Sequence, residues 1–172
     1  MEALIIIDYQ NDFVCGDLGF NGAEKILPNI LQKVNEASHE NKDIIFTMDT
    51  HDENFRKTKH GIKSSSVLDP QIDTAWDIYG PLKDFLTNAT RVFKKNTFGS
   101  IDLALFLQSK QYENIEFSGL VSHICVLVNV ILAQTFSPKS HIIVDSNCIA
   151  SPDLSLHQKA IDIMKELKID VI

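Results

Sequence analysis

Two alternating hydrophobic periods constrain this chain more than any other feature. Short runs that are apolar at consecutive positions are separated by longer segments whose apolar residues recur every three or four. A brief continuous run fits a strand buried on both faces, and interleaving such runs with helices is what a parallel sheet requires. Leu4-Ile5-Ile6-Ile7 is the first run, and it stops at Asp8. Ile44-Ile45-Phe46-Thr47-Met48, Arg91-Val92-Phe93, Asn114-Ile115-Glu116-Phe117-Ser118 and His141-Ile142-Ile143-Val144 follow, with a last short strand over 169–172. Helical spacing marks 23–37, 100–109, 122–135 and 156–167, with Pro28 early in the first of these, where a proline is tolerated. The pattern predicts a single α/β domain over 1–172, a three-layer α/β/α sandwich around a roughly six-stranded parallel sheet. The polar stretch 49–79 is long for a loop in a compact domain, and such loops often act as lids.

Composition narrows the class of function. The 172 residues carry a net charge of −7, with Lys and Arg scattered, and such a surface repels nucleic-acid phosphates and anionic membranes. Three cysteines form no CxxC and no evenly paired framework, which fits free thiols in a reducing, cytoplasmic setting. The first residues show no basic region followed by a long apolar stretch, and no apolar run approaches the ~20 residues of a membrane span. The expected partner is a small molecule. The helix over 122–135 is apolar almost all round, so a second copy of the chain is expected to cover part of it.

In open parallel sheets ligands sit beyond the carboxyl ends of the strands. Those positions hold Asp8, Asp49 with His51, Lys95, and 119–125 ending in Cys125. An acid, a cation and a thiol are the components of nucleophilic catalysis. Cys125 lies about one turn into a helix, where backbone N–H groups lower a thiol's pKa and can hold an oxyanion. By position alone it reads equally as a small buried hydrophobe. Asp8 is a catalytic acid or a loop-ordering cap, and position does not separate Lys94 from Lys95. No GxGxxG follows the first strand, which argues against a dinucleotide site.

Three segments resemble the isochorismatase-like hydrolases, nicotinamidases most. Asp8-Tyr9-Gln10-Asn11-Asp12-Phe13 is similar to their D-x-Q-x-D-F opening, and Lys95-Asn96-Thr97-Phe98-Gly99-Ser100 to their K-x-x-F/Y-S/G-A/S segment. Gly119-Leu120-Val121-Ser122-His123-Ile124-Cys125-Val126 is similar to their G-x-x-T-x-x-C-V nucleophile turn. The resemblance runs in family order from Leu4 to Ile172 and implies the Rossmann-like isochorismatase fold. It implies Cys125 as nucleophile, Asp8 as proton acceptor and Lys95 as stabiliser of nearby anions. It further implies a cis bond between Leu120 and Val121, an oxyanion held by the N–H groups of Val121 and Cys125, and Phe13 packed on the substrate.

The same resemblance implies a divalent metal (Zn, Fe or Mn) held by Asp49 and His51 with one more histidine. Here the segment that should carry that histidine has Leu68-Asp69, and His60 lies elsewhere in the loop. The function implied is cysteine-dependent hydrolysis of a C–N bond in a small amide, nicotinamide first. A metal-free hydrolase of N-carbamoyl or ureido compounds is the alternative. A catalytically silent binding protein on the same fold is the reading from another class.

Overall fold

The computed structural model describes residues 1–50 and 74–172. Its centre is a six-stranded sheet of β1 (Glu2–Ile7), β2 (Asp43–Asp49), β3 (Arg91–Lys95), β4 (Asn114–Leu120), β5 (His141–Ala150) and β6 (Asp170–Val171). The strands lie in the order β3-β2-β1-β4-β5-β6, and every pairing is parallel. The helices are α1 (Asn11–Val14), α2 (Leu27–His39), α3 (Ile101–Lys110), α4 (Leu127–Phe136) and α5 (Leu154–Glu166).

The period of two in β1 produces the layers. Ile5 and Ile7 pack with Leu107 of α3, Val130 of α4 and Met164 of α5, whereas Leu4 and Ile6 pack with Ile30 and Val34 of α2. Ile5, Ile6 and Ile7 are wholly buried, each stabilising the fold by about 1.5–3 kcal/mol. Chain direction across the sheet reverses between β1 and β4: β2 and β3 lie on one side, β5 and β6 on the other. That is the topological switch point, and it opens a crevice beyond the carboxyl ends of β1 and β4.

Three local departures from the sequence pattern have physical causes. The chain does not leave the sheet at Asp145. The Asp145 carboxylate accepts the Asn147 N–H at 2.9 Å, closing a small turn, and pairing then resumes with Gly119 opposite Ile149. The segment after β4 does not open directly as an α-helix: Ser122–Val126 is a π turn, with the Val126 N–H reaching the Val121 carbonyl, and α4 starts only at Leu127. Gly80–Asn88 is a 3-10 helix with Leu82 as its one buried residue, too little apolar spacing to register as a period. Among the described residues, no helix is long and apolar enough to cross a membrane.

Candidate active site

The floor of the crevice is set by how closely β4 approaches β1. Gly119 has φ +113, and a Cβ there would lie 2.1 Å from the Ile7 carbonyl oxygen. Only glycine lets the strands pair at this point while the chain turns toward Cys125. Asp8, the residue after β1, takes φ 46, an uncommon value for a non-glycine residue. Its backbone N–H reaches the carbonyl and the hydroxyl of Thr47 in β2, each at 3.2 Å. The Leu120–Val121 peptide is cis.

Asp8, Lys95 and Cys125, from three different strand ends, meet in this crevice, all at least nine-tenths buried. Lys95 Nζ lies 2.6 Å from Asp8 Oδ2 and 3.7 Å from Cys125 Sγ, and Thr47 Oγ1 donates to Asp8 Oδ1 at 2.6 Å. Of the two adjacent lysines, Lys95 points inward and Lys94 is exposed. Successive residues of a strand face opposite sides, so only one of the pair can enter.

Burial governs the protonation states here. It raises the Cys125 pKa well above an ordinary thiol's, the Asp8 charge raises it further, and Lys95 opposes both. Burial also raises the Asp8 pKa, against the pull of Lys95. For Lys95, burial disfavours the charge, but Asp8, Cys125 and Asp49 outweigh it and the net shift is upward. Burial thus favours the neutral thiol, which lies beside an Asp8 carboxyl group of raised basicity and the Lys95 ammonium. Such a carboxylate is matched to accept the thiol's proton.

Several polar residues to which the sequence assigned no individual role brace this set. Gln10 is buried and donates from Nε2 to the carbonyls of Asp49 (3.0 Å) and Trp76 (2.7 Å), while its Oε1 accepts the Asp49 N–H at 2.7 Å. Asn129, inside α4, hydrogen-bonds the Cys125 carbonyl at 2.7 Å. Ser122 Oγ lies 2.9 Å from His157 Nδ1, and Ser151 Oγ 2.8 Å from His123 Nδ1, joining the turn that holds Cys125 to the start of α5. The signal that marks Thr47 and Asn129 in a sequence is a polar side chain inside an otherwise apolar run.

Phe13 lies in α1, half-buried against the core layer beneath α2. Asp49 ends β2, its Oδ2 3.9 Å from Lys95 Nζ. His51 and His60 lie outside the described residues, as does most of the stretch 49–79. The ligand atoms of Asp8, Asp49 and Cys125 all fall within 4.8 Å of one another, a spacing a divalent ion could bridge. Lys95 Nζ already reaches all three, so an ion among them would have to displace an ammonium from its counter-charges. This trio with Lys95 in place does not fit a metal, and of the Asp49/His51 pair only Asp49 is described.

A doubly wound α/β sheet with a thiol, an acid and a lysine gathered at its switch point defines a class of nucleophilic enzymes. The chain belongs to the isochorismatase family: the family's isochorismatase domain matches residues 2–172. No curated protein sequence matches it significantly. Among solved structures it is similar to a pyrazinamidase/nicotinamidase from Streptococcus mutans, with 27% identity over 100% of both chains and a TM-score of 0.83. It has the fold of a pyrazinamidase of Pyrococcus horikoshii in complex with zinc, at 19% identity and TM-score 0.79, covering 99% of this chain and 98% of that one. It has the fold, too, of an N-carbamoylsarcosine amidase from Thermoplasma acidophilum, at 18% identity and TM-score 0.77, covering 99% and 94%. Family and neighbours together make the chain an isochorismatase-family hydrolase.

Proposed function

We propose that the chain hydrolyses the C–N bond of a small amide through a thioester on Cys125, with nicotinamide as first candidate substrate. The observation that carries this reading is the contact set of Lys95 Nζ with Asp8 Oδ2 and Cys125 Sγ inside a buried crevice. Asp8 takes the thiol proton as sulfur attacks the carbonyl carbon, and the oxyanion is held by the N–H groups of Val121 and Cys125. Lys95 remains protonated and balances the extra negative charge. Collapse of the tetrahedral intermediate breaks the C–N bond, and Asp8 passes its proton to the departing nitrogen, releasing ammonia. Asp8 then deprotonates a water that attacks the thioester, and the sulfur leaves as the thiol with that proton. No step in this scheme needs a metal. Phe13 is assigned to substrate packing on the resemblance.

Cleavage of an N-carbamoyl or ureido compound is the second reading. It uses the same three residues and is supported by the likeness to the N-carbamoylsarcosine amidase of Thermoplasma acidophilum. Ammonia release from nicotinamide and from carbamoyl and ureido compounds, with wild type and Cys125→Ala, each with and without a chelator, separates the two. Turnover of nicotinamide abolished in Cys125→Ala supports the first. Turnover confined to carbamoyl or ureido compounds and indifferent to chelator moves the assignment to the second. Absence of turnover across the panel, with a Cys125 no more reactive than Cys15, refutes both and leaves a binding role.

A further inference from the structure

The apolar helix after Cys125 contains one polar residue that has no packing reason to be there. Asn129 is 1% exposed and stands with Val130 and Ala133 as the buried residues of α4. An amide buried there without partners would be destabilising, whereas a buried leucine would stabilise the helix packing. Its partners are all backbone groups, on two separate segments. Nδ2 donates to the Cys125 carbonyl at 2.7 Å and to the Phe98 carbonyl at 3.0 Å, and Oδ1 accepts the Ser100 N–H at 2.9 Å. Phe98 and Ser100 belong to the loop that leaves Lys95 and enters α3, whose first turn Ser100 caps through the Leu103 N–H at 3.1 Å. The same loop is pressed onto α4 at Gly99, where a Cβ would lie 2.7 Å from side-chain atoms of Val128 and Leu132.

We infer that Asn129 is a positioning residue. Its side chain ties the carbonyl of Cys125 to the loop that follows Lys95 and so fixes the 3.7 Å separation of the Lys95 ammonium from the Cys125 sulfur. Lys95 reaches the site on a long flexible stem from the end of β3, and Cys125 sits in a π turn whose backbone ladder is irregular. Neither element holds that distance by itself. Asn129 acts through both and touches no reacting atom. The role rests on the reading of Cys125 as a nucleophile.

The test is the second-order rate at which iodoacetamide alkylates Cys125, read peptide by peptide by mass spectrometry, with Cys15 as the internal reference. Asn129→Ser can still bond the carbonyl four residues back but cannot span to Phe98 and Ser100. It should slow alkylation of Cys125 about tenfold or more, as a displacement approaching an ångström does to a reacting pair, and leave Cys15 unchanged. Coupling then separates positioning from general loosening. If Asn129 acts by placing Lys95, the double variant with Lys95→Gln reacts at the rate of Lys95→Gln alone, whereas independent effects multiply. A wild-type rate in Asn129→Ser, or multiplying effects in the double variant, overturns the role while leaving the nucleophile intact. A wild-type Cys125 that iodoacetamide does not modify, together with substrate turnover that survives in Cys125→Ala, removes the nucleophile and this role together. If Lys95→Gln does not fold, the same cycle is run with Lys95→Met.

Discussion

Thr47→Val tests how Asp8 is held ready to accept a proton. The Thr47 hydroxyl donates to Asp8 Oδ1 at 2.6 Å, in a pocket where both residues are fully buried. Valine keeps the shape and removes the donor, while the Asp8 N–H retains the Thr47 backbone carbonyl as acceptor at 3.2 Å. A hydrogen bond to an ionised group is worth about 1.5–3 kcal/mol, and one pKa unit is about 1.4 kcal/mol. Losing it from the carboxylate but not from the neutral acid therefore raises the Asp8 pKa by about 1–2 units beyond what burial already imposes. In the proposed mechanism Asp8 must be ionised to take the thiol proton, so the acid limb of kcat/KM moves to higher pH by that amount. Because acid and thiol are coupled, the limb belongs to the pair rather than to one residue. The assay is ammonia release across pH for wild type and variant on whichever substrate turns over. At the alkaline plateau the two should agree within a few-fold. An acid limb that stays in place, or moves toward lower pH, in a folded variant refutes the argument that Thr47 supports the charge on Asp8.

Two further outcomes follow from the same geometry. Gly119→Ala places a methyl 2.1 Å from the Ile7 carbonyl at φ +113, so β1 and β4 must part; the cost is more than about 3 kcal/mol. That corresponds to a fall in Tm of about 6–12 °C, and a midpoint within about 2 °C of wild type contradicts the close approach. Cys148 is fully buried, and burial, with Asp145 nearby, pushes its thiol up to about 12. Its folded pKa is raised, so the stability it contributes is present below about pH 9 and is lost as pH climbs toward 12. Between pH 9 and 10.5 that loss is about 1–2 kcal/mol. The gap in unfolding free energy between wild type and Cys148→Ala narrows by that amount, and parallel curves would contradict it.

The sequence carried the layers because hydrophobic period is a local property. The runs in β1 and β4 and the helical spacing of α2 and α5 state which faces must be covered, and the structure covers them. Asp8, Lys95 and Cys125 were legible as candidates because each stands where an apolar run stops or a turn begins. Their meeting was not legible, since it depends on the β3-β2-β1-β4 order and on strand register, which no window of sequence encodes. Thr47 went unmarked, and Gln10 stood in the opening motif without a role, because their contacts are long-range, each reaching a partner 39 residues away. The continuation of β5 past Asp145 was hidden by an Asx turn whose residues read as an ordinary strand end. Residues 51–73, His51 and His60 among them, lie outside the described residues.

The central claim is that Cys125 carries the acyl group during turnover. The direct measurement is rapid acid quench of wild type at saturating substrate, followed by peptide mass spectrometry. The account predicts the acyl increment on the peptide containing Cys125, removable by hydroxylamine and absent in Cys125→Ala. Ammonia release that continues in Cys125→Ala, with no adduct on the wild-type peptide, would contradict it.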